Sequence, residues 1–477
     1  MINLKKLVRQ NIAALTPYKC ARYNSAKGIM LDANENPYGN LNRYPDPYSS
    51  KVRSALANLS CVLEKQIFMS NGSDEVIDLL IRAFCEPLID NVFVKKPSYG
   101  MYDVSASINN IYVVDTVSKN TKIIFLCSPN NPTGELLEEK TILDYCKNNA
   151  LVVVDEAYIE FASRKSLANK IMQFKNLIVL RTLSKAWGAA GIRLGYAIAD
   201  ECIVDVLNKI KYPYNVNVLT QKMALKILSK PEIMERRVKT IVKERDRVFI
   251  QLKKLGLNVF QSEANFLLFE VGGASEVQKK LEILGVIVRD RTNDFDNCLR
   301  VTIGTKSENN KFLNALKKCL LKIAFIDRDG TLIFEPQDDF QVDSLSKYKV
   351  LDGVIDWLKI LTKRGFKLVM ITNQNGIGTS SFPEKKFRLV QDNFLKDMNA
   401  CGIDFYKIFV CPHLPSDFCK CRKPKTGMVD NFLKSTPTNL NESFVIGDRD
   451  SDLLFAKNIG VKGFKMPTNS KFLIPKL

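Results

Sequence analysis

Lys322-Ile-Ala-Phe-Ile-Asp327-Arg-Asp329-Gly-Thr331 places two carboxylates two residues apart, directly after an apolar run and before a glycine that frees the backbone. One carboxylate can attack phosphorus while the other handles the proton of the leaving group. Attack by an aspartate on an anionic phosphate needs a metal to cancel the repulsion, and so a third carboxylate. Ser443-Phe-Val-Ile-Gly-Asp448-Arg-Asp-Ser-Asp452 supplies it, again after an apolar run. A transferring phosphoryl group also needs a hydroxyl or amide donor and a fixed cation. Thr372-Asn373-Gln374 offers the first and Cys421-Arg422-Lys423-Pro424 the second. Asp-Gly alone is an ordinary turn signal; four motifs of this kind in this order are not.

A different chemistry is written upstream. Arg181-Thr-Leu-Ser184-Lys185-Ala-Trp-Gly-Ala-Ala-Gly-Ile-Arg193-Leu-Gly195 brings a lysine, hydroxyls and a second arginine together among small residues. That set suits pyridoxal phosphate: the lysine can form a Schiff base, and Ser184 and Arg193 can hold phosphate oxygens. Val152-Val-Val-Asp155-Glu-Ala-Tyr158 ends an apolar run on an aspartate that can pair with a protonated pyridine nitrogen. Ser128-Pro-Asn-Asn131-Pro-Thr-Gly134 offers Asn131 to the ring hydroxyl. Ser70-Asn-Gly-Ser73-Asp74-Glu precedes an amphipathic pattern, so a helix N-terminus there would turn free N–H groups toward a phosphate. Each piece alone is weakly specific, since strands often end on Asp and Ser-x-x-Glu is also a capping box; their joint order is strongly specific.

A third group holds the only histidine. Cys411-x-His413-x5-Cys419-x-Cys421 offers three thiols and an imidazole within eleven residues, the ligand set of a closed tetrahedral zinc site. Thiolate softness favours Zn²⁺ over Mg²⁺, and a closed site orders a loop rather than activating water. Lys423 stands two residues beyond it, so zinc would fix the segment that carries the phosphate-binding cation.

The elements that must position these residues are strands followed at once by polar residues. Strands are predicted at 122–126, 151–154, 177–180, 323–326, 367–371 and 444–446, alternating with helical stretches, which indicates an α/β architecture with parallel sheets. In such sheets ligands collect beyond the carboxyl ends of strands. With 477 residues the chain exceeds one comfortable core, and two or three domains are expected. No Pro, Gly or Ser-rich linker marks the joint. It is placed near Leu320, where a helical stretch of about 308–321 runs into a strand, and should be short and stiff.

Composition narrows the class. Hydrophobic residues at 46% and charged residues at 25% fit a globular chain, and no apolar run is long enough to span a bilayer. The first ten residues lack the apolar region of a secretory signal, and twelve cysteines in a chain this long do not form a disulfide framework, so a reducing cytoplasm is expected. The net charge of +19 raises nucleic acid as a partner, but the basic residues are dispersed in short groups such as Lys253-Lys254 and Lys279-Lys280. Neither a nucleic-acid nor a membrane partner is expected; steering of small anionic substrates is a softer use of the charge.

Residues 1 to about 320 resemble the fold-type I pyridoxal-phosphate aminotransferases, and among them the histidinol-phosphate aminotransferases. Leu15-Thr-Pro-Tyr18, Leu31-Asp-Ala-Asn34-Glu-Asn-Pro, Arg43-Tyr44-Pro-Asp, Pro97-Ser-Tyr99-Gly-Met-Tyr102 and Leu299-Arg300-Val-Thr-Ile-Gly304 carry the likeness beside the motifs above. The resemblance implies a large parallel-rich sheet domain with a small α/β domain, and a homodimer. It makes Lys185 the Schiff-base lysine and proton carrier. Asp155 then pairs with the pyridinium, Tyr158 and Asn131 bind the ring hydroxyl, and Tyr99 stacks on the ring. Ser73, Asp74, Ser184 and Arg193 take the cofactor phosphate, with Tyr44 from a partner subunit. Arg300 takes the substrate carboxylate or phosphate, with Arg289, Tyr18 and Asn34 nearby.

Residues from about 322 to 465 resemble the haloacid-dehalogenase-like phosphatases, in particular histidinol-phosphatases, with a Rossmann-like fold. The resemblance makes Asp327 the nucleophile and Asp329 the general acid and base. Mg²⁺ is held by Asp327, the Asp329 carbonyl and Asp448, and Thr372, Asn373 and Lys423 bind the phosphoryl group. The Cys-x-His and Cys-x-Cys loop is also the family's zinc loop. The implied function is bifunctional: imidazole-acetol phosphate and glutamate give histidinol phosphate, which is then hydrolysed. The alternative keeps both folds but changes substrates, to an aromatic amino-acid aminotransferase joined to a heptose-bisphosphate-type phosphatase. A further fused dehydratase, whose metal site needs several histidines, is not expected.

Overall fold

The computed structural model describes residues 3–21 and 28–473, and within them the chain forms two compact units. The first comprises Met1–Asp246 with Phe260–Leu268 and Thr302–Thr305; the second comprises Arg247–Val259, Phe269–Val301 and Lys306–Leu477.

The first unit is built on seven strands: β1 (Ile67–Asn71), β2 (Asn91–Val94), β3 (Tyr112–Val114), β4 (Thr121–Cys127), β5 (Leu151–Asp155), β6 (Leu177–Thr182) and β7 (Leu194–Ile198). They lie in the order β1-β7-β6-β5-β4-β2-β3. The run from β3 to β6 is parallel, as expected, whereas β7 is antiparallel to both β6 and β1. The central strands are apolar along their whole length because helices cover both faces. Thus Val153, Ile123 and Ile178 belong to one core, and Val152, Val154 and Ile124 to the other. The polar residues that end β4, β5 and β6 all emerge on the same edge, which concentrates the chemistry there.

The second unit holds β8 (Asn258–Val259) paired with the end of β9 (Phe266–Glu270), and β10 (Arg289–Asp290) paired with β11 (Cys298–Thr302). It also holds a five-stranded parallel sheet of order β14-β13-β12-β15-β16. These strands are β12 (Lys322–Ile326), β13 (Phe366–Asn373), β14 (Phe405–Cys411), β15 (Phe444–Gly447) and β16 (Lys462–Lys465). Because β12 lies between β13 and β15, Asp327 emerges between the ends of the strands that carry Thr372 and Asp448. All six strands predicted from sequence are present, each within two residues of its expected ends.

The helix expected to precede β12 runs Lys306–Cys319, two residues shorter at its end than predicted. The joint near Leu320 lies inside the second unit, stitched by backbone bonds from Leu321 N to Pro437 O (2.7 Å) and from Asn439 N to Leu321 O (2.8 Å). Gly273 N donates to Lys434 O at 3.0 Å, and the neighbouring Gly272 packs so closely on the carbonyls of Leu433 and Thr436 that no side chain would fit.

Candidate active sites

The helix Ser73–Phe84 begins at Gly72, whose φ of +82° is costly for any residue with a Cβ. Among the described residues no side chain caps that helix at Gly72, so its first N–H groups are available to an anion. Around this end Tyr99 donates to Asp74 Oδ1 at 3.1 Å, and Arg193 Nη2 lies 3.4 Å from Asp74 Oδ2. Gly195 passes against the Ser73 amide with no room for a side chain, which joins β7 to the helix start. Ser184 N and Oγ both bond to Thr182 Oγ1, at 3.1 and 3.0 Å, at the end of β6. Lys185 follows, its Nζ 5.4 Å from the centre of the Tyr158 ring.

Asp155, at the end of β5, is buried. Burial pushes its carboxyl pKa up, against the opposing effect of the Tyr102 hydroxyl (2.8 Å to Oδ2) and the Ala157 amide (3.1 Å to Oδ1). Tyr102 is itself fully buried, stacked on Phe125 and edge-on to Tyr99. It was missed in the sequence, although it stands three residues after Tyr99, one helical turn away. Asn131 sits in the turn 128–134 beyond β4.

The structure thus brings Ser73, Asp74, Tyr99, Arg193 and Ser184 to one edge of the first sheet, with Asp155, Tyr158 and Lys185. A pyridoxal phosphate fits the donor set: a helix N-terminus with an arginine for the phosphate, and a buried carboxylate for the ring nitrogen. Tyr18, Asn34 and Tyr44 are exposed; Tyr44 stacks on Tyr214 at 4.5 Å. Arg289 and Arg300 face each other across β10 and β11 in the second unit.

The site in the second unit is more tightly knit. Lys423 is buried and spends its three donors on Asp327 Oδ1 (2.6 Å), Asp452 Oδ1 (2.6 Å) and Ile371 O (3.1 Å). Burial disfavours the Lys423 charge, but Asp327 and Asp452 overcome it and hold its pKa above the ordinary lysine value. Burial raises the Asp327 pKa strongly; Lys423 opposes the rise, and Asp452 and Asp448 add to it. Carboxylate oxygens of Asp327, Asp448 and Asp452 lie within 4.8 Å of one another. Asp448 Oδ2 accepts from Thr468 at 2.8 Å, while its buried Oδ1 has no hydrogen-bond partner among the described residues. An orphaned buried carboxylate oxygen in an all-oxygen cluster fits a hard cation such as Mg²⁺.

Asp452 was quoted in the sequence but given no role; in the first turn of the helix Asp450–Ile459 it also caps Arg449 N at 3.1 Å. Asn373 was expected at the phosphoryl group. Its side chain brackets the Lys423 backbone, accepting from Lys423 N (3.0 Å) and donating to Lys423 O (3.3 Å). Asp329 accepts from Arg328 Nε at 2.9 Å and from Gln374 Nε2, which also donates to Thr372 Oγ1 at 2.7 Å.

Cys411, His413, Cys419 and Cys421 converge with Sγ–Sγ distances of 3.3 to 3.7 Å and His413 Nδ1 3.2 Å from Cys421 Sγ. The sulfurs are too far apart for a disulfide and close to the ~3.8 Å edge of a tetrahedron with metal–sulfur bonds of about 2.3 Å. The donor set fits Zn²⁺. Its loop is tied to the phosphoryl side of the site, because Gln374 N donates to Cys411 O (2.7 Å) and Arg422 bonds Asn375 Oδ1 (2.5 Å) and His413 O (3.2 Å).

Comparison with known proteins separates the two regions. Residues 21–316 match the family model for class I and II aminotransferases, and residues 322–470 match that for polynucleotide kinase 3 phosphatase. A histidinol-phosphate aminotransferase of Parabacteroides distasonis is 47% identical over 345 residues, covering 67% of this chain and all of that protein. One from Christiangramia forsetii is 46% identical over 342 residues, covering 66% of this chain and 98% of that protein. Among solved structures, the histidinol-phosphate aminotransferase from Clostridium acetobutylicum superposes with a TM-score of 0.53 at 26% identity, covering 58% of this chain and 91% of that one. The one from Sinorhizobium meliloti, solved in complex with pyridoxal-5'-phosphate, gives 0.53 at 20% identity, covering 58% and 83%, a likeness of fold. By sequence and by fold, the chain belongs to the class I and II aminotransferases.

Proposed function

We propose that this chain is a bifunctional enzyme: residues 1–320 transaminate imidazole-acetol phosphate with glutamate to give histidinol phosphate, and residues 321–477 hydrolyse that product to histidinol and phosphate. The 47% identity to a histidinol-phosphate aminotransferase along its full length supports the first half. The observation that carries the second half is the buried Lys423 bridging Asp327 and Asp452 beside the unpartnered oxygen of Asp448. The two halves support each other, since the first makes a phosphate monoester and the second carries the parts of a monoesterase.

In the first site pyridoxal phosphate, when bound, supplies an electron sink for the carbanion formed at the substrate α-carbon. Lys185 Nζ moves the proton between the two carbons that exchange it, and Asp155 holds the proton on the ring nitrogen. Tyr158 and Asn131 hold the ring hydroxyl, Tyr99 covers the ring, and Ser73, Asp74, Ser184 and Arg193 seat the phosphate. Tyr44 serves the neighbouring protomer of a homodimer, and Arg289, Arg300, Tyr18 and Asn34 receive the substrate.

In the second site, of haloacid-dehalogenase type, Asp327, Asp448 and the Asp329 carbonyl would hold Mg²⁺, which would supply the charge neutralisation needed as two anions meet. An Asp327 oxygen attacks phosphorus and the ester oxygen leaves, taking a proton from Asp329; Asp329 then takes a proton from the water that releases phosphate. Thr372 and Lys423 stabilise the transferring group, and Asn373 fixes the Lys423 backbone. Cys411, His413, Cys419 and Cys421 would hold Zn²⁺, which would order the loop that presents Lys423.

The match to polynucleotide kinase 3 phosphatase and the charge of +19 favour one second reading of this half: a phosphatase for nucleic-acid 3′-phosphate ends. Phosphate release with Mg²⁺ from histidinol phosphate, from a 3′-phosphorylated oligonucleotide and from a heptose bisphosphate decides between substrates. The proposal requires histidinol phosphate to have the largest kcat/KM; a clear preference for the oligonucleotide would replace it.

A further inference from the structure

Resting on the monoesterase reading above, we propose that Gln374 and Arg328 are positioning residues that clamp both oxygens of Asp329, and that Gln374 at the same time aims the Thr372 hydroxyl at the phosphoryl group. Neither residue belongs to the proposed nucleophile, metal or phosphate-binding sets. Both are buried; Arg328 precedes Asp329 in the same turn, and Gln374 reaches it from beyond the end of β13.

Arg328 is fully buried, where an arginine is expensive; its Nε and Nη1 are engaged, while its Nη2 has no hydrogen-bond partner among the described residues. Its Nε donates to Asp329 Oδ1 at 2.9 Å and its Nη1 to Gln391 Oε1 at 3.2 Å. Its guanidinium lies 4.9 Å from the centre of the Phe387 ring. Gln391 and Phe387 both come from the helix Glu384–Ala400, so that helix fixes the plane of the fork.

Gln374 approaches from the other side, beyond the end of β13. Its amide nitrogen spends both hydrogens, one on Asp329 Oδ2 and one on Thr372 Oγ1. Its backbone N–H is anchored on Cys411 O. A threonine hydroxyl carries one proton and two lone pairs. With a lone pair taken by Gln374, its proton is left to donate to a phosphoryl oxygen. One amide therefore ties the proton-transfer carboxylate to a phosphoryl-binding hydroxyl, and both to the strand that begins the cysteine loop.

A carboxylate fixed at both oxygens cannot wander from the leaving-group oxygen, and small misplacements of such groups are costly. The clamp should therefore matter most when the leaving group needs a proton. Alkyl monoesters such as histidinol phosphate have a poor leaving group; p-nitrophenyl phosphate departs as a stable phenolate and does not need one.

The test is the leaving-group dependence of the full-length protein with saturating Mg²⁺. Gln374→Met keeps the length and the backbone bond but removes both donors. It should lower the single-turnover rate of alcohol release from histidinol phosphate about 10- to 100-fold, part of the 10²- to 10⁴-fold that proton transfer supplies. The single-turnover rate of p-nitrophenolate release from p-nitrophenyl phosphate should fall less than about 3-fold, with the same Mg²⁺ half-saturation, while Asp329→Asn, which also loses the base for the water step, should lower steady-state turnover on both esters. If Gln374→Met does not fold, Arg328→Lys carries the test, because it keeps the charge and loses the fork. Equal losses of that single-turnover rate on both esters, or no loss on either, would overturn the clamp. Failure of the monoesterase reading looks different: wild type would release phosphate from neither ester, and the clamp would fall with it.

Discussion

The two candidate sites are assembled in opposite ways. In the second unit, Lys423, Asp327 and Asp452 already grip one another at 2.6 Å in a buried pocket, and Asp448 stands beside them with a free oxygen. In the first unit the phosphate-side residues form a half-exposed cradle, where Arg193 and Asp74 meet at only 3.4 Å and Tyr44 lies on the surface. The difference follows from what each site must hold. A phosphoryl group in transit is stabilised by charges fixed before it arrives, whereas a resident cofactor supplies the missing contacts of its own cradle. Losses in the second site should accordingly reach both chemistry and folding, and losses in the first should show mainly in cofactor affinity.

The largest expected effect is at Asp327. Asp327→Asn removes the proposed nucleophile and should reduce phosphatase turnover more than about 1,000-fold while leaving transamination unchanged, measured by phosphate release and by glutamate consumption on the same preparation. Loss of both activities would erase the contrast between the sites.

Lys423→Met tests the interlock. It strands two carboxylates in a buried pocket, a change that costs about 3–5 kcal/mol when a buried pair is broken, seen as a lower denaturation midpoint for the second unit. A midpoint like that of wild type would mean that the charges are not held as described. His413→Ala should act next in size: zinc content falls, phosphatase activity falls with it because the loop bearing Lys423 loosens, and transamination persists.

In the first site the effects are smaller and depend on pH. Burial raises the Asp155 pKa, so in the cofactor-free protein its contribution to stability is complete below about pH 3.9, the ordinary aspartate value, and is lost as pH rises through its higher folded value. Asp155→Asn should therefore flatten the stability profile above that pH and weaken cofactor binding; an unchanged profile would contradict the burial argument. Tyr102→Phe removes one hydrogen bond to a charged group and should cost about 1.5–3 kcal/mol, read as weaker cofactor affinity with the fold retained.

The contrast also governs how much could be read from the sequence. Residues that end strands were legible, because an apolar β-branched run followed by a polar residue marks both the strand and its ligand-facing end; Asp155, Asp327, Thr372 and Asp448 all emerged so. The cysteine loop was legible from spacing alone. Partners that meet across the fold were not. Tyr102 reaches Asp155 only because the helix Met101–Ile108 packs on the sheet, and Asp452 meets Lys423 only because β15 lies beside β12. The acidic cluster after Gly447 hinted at Asp452, but nothing local set it apart from Asp450. The contact of Asn373 was not legible for a related reason: its partner, the Lys423 backbone, lies 50 residues away.

The central claim is that one chain carries two consecutive reactions. Supplying purified protein with imidazole-acetol phosphate, glutamate, pyridoxal phosphate and Mg²⁺ tests it most directly. The account predicts that inorganic phosphate and histidinol accumulate, that Lys185→Ala abolishes both, and that Asp327→Asn stops the sequence at histidinol phosphate. Accumulation of histidinol phosphate by the wild-type protein, with no phosphate released, would contradict it.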